Sequence, residues 1–140
     1  TTATTTEMVL HECSATYKLP VVASVFSKGL GLDDMSMSRC PHELPSVWPN
    51  THEKVKTLRL FKAWHRTWGS DDERRRAWSK LVAWIHANGV SVLMGTDVTC
   101  DARADDEMWQ WALELMQMIG REQIIGVAVG NEMDVFRDAN

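Results

Sequence analysis

Apolar and polar positions follow two rhythms along this chain. After Ser70, the residues Ala77, Trp78, Leu81, Val82 and Ile85 recur at three-and-four spacing, the period of a helix with one apolar face. The SDDE at Ser70 to Glu73 is a capping-box signature that opens this helix, and Asn88-Gly89 supplies a left-handed terminator. A second stretch of the same period carries Met108, Trp109, Ala112, Leu115, Met116 and Ile119; Asp101 or Asp105 can cap it, and Gly120 ends it. Short apolar runs alternate with these helices: KTLRLF from Lys56, VSVLMG from Val90 and IIGVAV from Ile124. Each predicts a strand, and the β-branched IIGVAV run reads as one buried on both faces of a parallel sheet.

Upstream the pattern is weaker. PVVASVF, beginning at Pro20, predicts a first strand. The proline- and glycine-containing stretch from Ser27 to Asn50 reads as a long loop, and residues 51–55 as a short helix. The threonine-rich residues 1–18 predict an extended arm. Strand and helix alternating at about 30 residues per unit is the signature of a right-handed parallel α/β arrangement. The expected architecture is four parallel strands with flanking helices over residues 19–140, half of a (β/α)8 TIM-type barrel of ~250 residues. An open flavodoxin-like sheet is the alternative, but Gly29 and Gly31 do not form a phosphate-cradling fingerprint.

Charge narrows the range of partners. A formal net charge of −4 leaves no basic surplus to neutralise phosphates, so no nucleic-acid partner is expected. Arg74, Arg75 and Arg76 follow Asp71, Asp72 and Glu73 and read as the solvated start of a helix. No apolar stretch approaches the roughly 20 residues of a membrane span, and no targeting segment is visible. The three cysteines, Cys13, Cys40 and Cys100, match no zinc or redox spacing. His11 with Cys13 and Cys40 with His42 can be assembled on paper into a metal site, but Cys-x-His is not the usual spacing; neither a metal nor a cofactor is expected.

Chemistry is expected where IIGVAV runs into Gly130, Asn131 and Glu132, because ligands in parallel α/β folds bind at the carboxyl ends of the strands. In order along the chain, TLRLFKA, GVSVLMGTDV and IIGVAVGNEMD resemble the second, third and fourth strands of the family-17 glycoside hydrolases, the plant-type endo-1,3-β-glucanases. VAVGNE is the most specific of these segments. The similarity runs from about Leu44 to Asp134, roughly two-thirds of the chain. The resemblance implies that Glu132 is the general acid/base of a retaining enzyme and that Asn131 bonds the sugar hydroxyl beside the reacting carbon. It makes Arg59 a residue that holds the catalytic carboxylate, and it implies a secreted or cell-wall setting. A glycosidic oxygen leaves once protonated, which suits a carboxylic acid whose pKa is raised by apolar strand ends.

Departures from the family pattern carry equal weight. Retention needs a second carboxylate about 5 Å from the first, which the family takes from its seventh strand, so four strands alone are not expected to hydrolyse glucan. Lys62 stands where an acidic residue usually follows the second strand; with Asp97, Trp64 and Trp68 it is a candidate substrate contact at the sheet's mouth. Trp78, Trp84, Trp109 and Trp111 fall on helices and are expected to pack. Three functions follow: the catalytic N-terminal half of a glucan endo-1,3-β-glucosidase acting on β-glucan or another polysaccharide; a non-catalytic structural subunit that docks on other chains or self-associates through open sheet edges; or a carbohydrate-binding remnant.

Overall fold

The computed structural model describes residues 29–33, 36, 39, 40 and 43–130. The arm at 1–18 and the expected strand at 20–26 lie outside the described residues. Four strands, β1 (Leu30–Leu32), β2 (Thr57–Leu60), β3 (Ser91–Thr96) and β4 (Ile124–Val129), form one sheet in the order β1-β2-β3-β4, and every neighbouring pair is parallel. Helix α1 (Asp71–Asn88) connects β2 to β3, and α2 (Ala102–Ile119) connects β3 to β4. The chain is therefore α/β. Because successive strands step in one direction and parallel crossovers share one hand, both helices must fall on the same face. They do: Leu58, Leu60, Val92 and Met94 of the sheet share a single core with Trp78, Leu81 and Ile85 of α1 and with Ala112, Leu115 and Ile119 of α2. Full burial of each large aliphatic here is worth about 1.5–3 kcal/mol.

Both helix ends form as the sequence predicts. The Ser70 hydroxyl accepts from the Glu73 N–H while the Glu73 carboxylate accepts from the Ser70 N–H at 2.7 Å. Gly89 closes α1 in the left-handed region at φ 59°. Asp101, rather than Asp105, caps α2 by accepting from the N–H groups of Arg103 and Ala104.

Four local expectations are corrected. Leu30–Leu32, inside the expected loop, is a strand paired to β2; its glycine-containing LGL is too short to show a period. Residues 51–55 are not helical. Pro49 and Asn50, the latter at φ 60°, turn the chain so that Val47 bridges Lys54 in antiparallel fashion. Arg74 does not share the solvated face of Arg75 and Arg76 and is only 6% exposed. Standing four residues before Trp78, it is carried onto the apolar face. There its guanidinium lies 5.0 Å and 5.4 Å from the Trp78 and Trp111 rings and pairs with Asp71 at 3.1 Å and Glu114 at 3.7 Å, joining α1 to α2. Finally, β4 is not buried on both faces: Ile125, Val127 and Val129 are 61%, 41% and 66% exposed. No described strand lies beyond β4, and a β-branched run reads alike in a central strand and an edge strand.

Gly95 fixes how β2 leaves the sheet. A β-carbon there would stand 2.3 Å from the Phe61 carbonyl oxygen and 2.5 Å from that of Leu60. Both obstacles are backbone, so relief requires moving a strand end. At Gly31 the nearest atom to such a carbon is the Phe61 ring edge at 3.6 Å, an ordinary contact. Gly95→Ala is expected to destabilise by at least the roughly 1–3 kcal/mol typical of overpacking, while Gly31→Ala stays within about 0.5 kcal/mol of the parent. Urea unfolding of the two variants checks the contrast, and equal midpoints would refute it.

Candidate functional site

The carboxyl ends of the strands gather most of the described candidate residues. Arg59, near the end of β2, lies with its guanidinium 4.4 Å from the centre of the Phe61 ring. It is exposed, and it pairs in register with Gly31 on one side and Leu93 on the other, in the row between the core positions of β2 and β3. Lys62 follows β2 and Asp97 follows β3, and the structure brings them together as an ion pair at 2.5 Å. Their side chains are 17% and 20% exposed, drawn in from solvent without being sealed from it.

The tryptophans divide differently. Trp64 is 2% exposed and belongs to the core. Its ring meets Trp68 edge-on, with centroids 5.4 Å apart at 74°. Stacking on a sugar requires an open indole face, so of these two residues only the half-buried Trp68 offers surface. The Trp78 indole N–H donates to the Ala63 carbonyl at 2.9 Å and that of Trp84 to the Leu44 carbonyl at 3.0 Å, so tryptophans of α1 anchor the loops beneath the site. Beyond Trp64, a short 3-10 turn (Arg66–Trp68) is capped by His65, whose Nδ1 accepts from the Thr67 N–H. An ion pair between Arg66 and Glu107 ties this turn to α2.

After β3 the loop is held from within. Thr99 donates both its N–H, at 2.8 Å, and its hydroxyl, at 2.7 Å, to one oxygen of Asp105. The hydroxyl bond, followed by the backbone bond, holds the Asp105 carboxyl below the ordinary aspartate range. Cys100, in the left-handed region at φ 66°, then turns the chain to the Asp101 cap. At the neighbouring strand end the Gly130 N–H donates to the Thr96 carbonyl at 2.8 Å, and Gly130 sits at φ 81°, where glycine is favoured. Thr96 is buried, and its hydroxyl has no hydrogen-bond partner among the described residues. Asn131 and Glu132, next in the chain, lie outside the described residues.

Of the four residues assembled on paper into a metal site, His11, Cys13 and His42 lie outside the described residues. Cys40 is disulfide-bonded and has no thiolate to offer, and among the described residues Cys100 is the free, exposed cysteine. Among the described residues no group of three or more histidine, cysteine or carboxylate side chains could hold a metal ion. No described helix is long and apolar enough to cross a membrane. Compared with protein-family models, curated proteins and solved structures, the chain matches none.

Sequence reasoning treated Lys62 and Asp97 as separate contacts and missed both their pairing and the Thr99–Asp105 clasp. Opposite charges after consecutive strands were the available signal for the first. For the second it was a threonine just before the helix cap.

A depressed carboxyl contributes stability above its unfolded pKa and loses that contribution as pH falls through the lower folded value. The Asp105 clasp is therefore expected to hold at neutral pH and to open only below the ordinary aspartate pKa of about 3.9. Thr99→Val should raise the Asp105 pKa toward that value in a side-chain carboxyl NMR titration. An unmoved titration would mean that the hydroxyl contributes nothing.

Proposed function

We propose that this chain forms the first four βα units of a family-17-like glucanase barrel and binds 1,3-β-glucan at the carboxyl edge of its sheet, with Glu132 as the general acid. The observation that carries the reading is the edge itself: consecutive parallel strands end in Lys62, Asp97 and the anchored Gly130, and the next two residues are Asn131 and Glu132. One-directional winding with both helices on one face supports a barrel segment over a doubly wound sheet, in which the strand order reverses and helices cover both faces. The disulfide at Cys40 suits the secreted or cell-wall setting of such enzymes.

In this reading Asn131 orients the sugar hydroxyl beside the reacting carbon, Glu132 protonates the departing oxygen, and Arg59 supports the carboxylate. The glycosyl-enzyme step needs a second carboxylate about 5 Å away. Asp97 is engaged with Lys62, so that group is assigned to a later strand, and the four strands by themselves bind without turnover. A second reading, a structural or interaction subunit built from the same half-barrel, is favoured by one observation, the exposed Ile125, Val127 and Val129 on β4.

Calorimetric titration with a 1,3-linked glucose tetramer separates the two. The glucan reading expects binding by the parent chain and by Glu132→Gln, since glutamine preserves the shape and hydrogen bonding of the site. Once the later-strand carboxylate is supplied, the same substitution is expected to lower turnover by about 10²–10⁴-fold. A parent chain that binds no oligomer and elutes only as a larger assembly would establish the structural reading instead.

A further inference from the structure

Leu58 and Leu60 are buried in the core, so strand alternation, carried one residue past β2, puts Arg59 and Phe61 together on the face turned away from the helices. Arg59 is the one charged residue in the four described strands, and among the described residues no carboxylate is paired with it. Its guanidinium instead lies 4.4 Å from the centre of the Phe61 ring, within the reach of a cation–π contact. The ring is itself held in place. The Phe61 carbonyl stands against Gly95, where no β-carbon fits, so the backbone that carries the ring cannot shift toward β3. On β1 the ring edge comes to 3.6 Å from where a β-carbon of Gly31 would stand, and Gly31 is the residue beside Arg59 in register. A glycine there leaves the ring a floor.

On the other flank Leu93, also in register with Arg59, leans toward Gly126 of β4. Arg59 is thus left clear between two side chains that each lie over a glycine of an outer strand. An exposed arginine ordinarily spreads over many rotamers. Held against a ring by one face, it keeps its five N–H donors along the edge of a plane, in the fork that matches a carboxylate.

Resting on the glucan reading, in which Arg59 supports the Glu132 carboxylate, we infer that Phe61 is a positioning residue: its ring holds the Arg59 guanidinium by one face so that the N–H edge is presented to that carboxylate. The test is a double-mutant cycle between Arg59→Gln and Glu132→Gln, read by urea unfolding of the full chain and repeated with Phe61→Leu, Phe61→Tyr and Gly31→Leu. Leucine at Phe61 keeps apolar bulk without a π face, tyrosine keeps the ring, and a side chain at Gly31 takes the ring's floor. In the parent the coupling of Arg59 to Glu132 is expected to be about threefold in the folding equilibrium constant, within what an exposed ion pair supplies. Phe61→Leu and Gly31→Leu should each remove most of it, and Phe61→Tyr should keep it. A merely structural Phe61 would lower stability equally at every corner of the cycle and leave the coupling unmoved. The Arg59 side-chain protons of the parent are also expected upfield of those of the exposed Arg75, shifted by the ring, a comparison that decides the matter even if the leucine variants fail to fold. Coupling that survives both leucine variants, or Arg59 protons that resonate with those of Arg75, overturns the role of Phe61 and leaves the glucan reading intact. A parent without coupling overturns this inference together with the part that reading gives Arg59, whereas binding of the glucose tetramer stands or falls by its own titration.

Discussion

At Gly95 the backbone of β3 meets the carbonyl oxygens of Leu60 and Phe61 with no space for a side chain, and much of the edge follows from that contact. It fixes where the chain leaves β2, and so where Lys62, Ala63 and Trp64 begin their path across the sheet. Ala63 and Trp64 are then buried, and the Ala63 carbonyl accepts from the Trp78 indole. Helix α1 is thereby tied to the loop it follows. Lys62, one residue earlier, is left at the rim, where Asp97 meets it. A packing restriction at one position thus sets a polar arrangement two residues further along each strand.

The helix layer has its own fastening. A guanidinium between two indoles, with a carboxylate from each helix, makes Arg74 a polar joint inside an otherwise apolar interface. Arginine suits this place because its planar cation can face aromatic rings and still present N–H groups to carboxylates. The joint lies between α1 and α2, on the side of the sheet that carries the core, so the Arg59 row of the sheet is left to other uses. The packed core and the exposed Arg59 row thus lie on opposite faces of the sheet.

Long, periodic elements are legible in the sequence itself. The helices declared themselves through repeated apolar positions and through Ser70, Asp101 and Gly89, residues whose side chain or backbone freedom is needed at helix ends. Strands β2, β3 and β4 were legible as short apolar runs bounded by turns. β1 was not, because three residues around a glycine have no pattern to read. Which face of β4 is covered was also hidden, since that depends on what lies beyond the strand. Arg74 was misplaced because a run of like charges suggests solvent, whereas helical phase puts each of three consecutive arginines on a different side. At the edge, Lys62 and Asp97 could be picked out singly. Their pairing depends on strand order, which no local pattern contains.

The exposed strand has a further consequence. IIGVAV carries no charge and no proline across six residues, a composition that favours stacking into cross-β fibrils when such a run stays open. Arg121 and Glu122 immediately before it are the kind of charged flanks that slow such growth without abolishing it. The open side of β4 accordingly bears on whether the chain stays in solution as well as on how its core is packed.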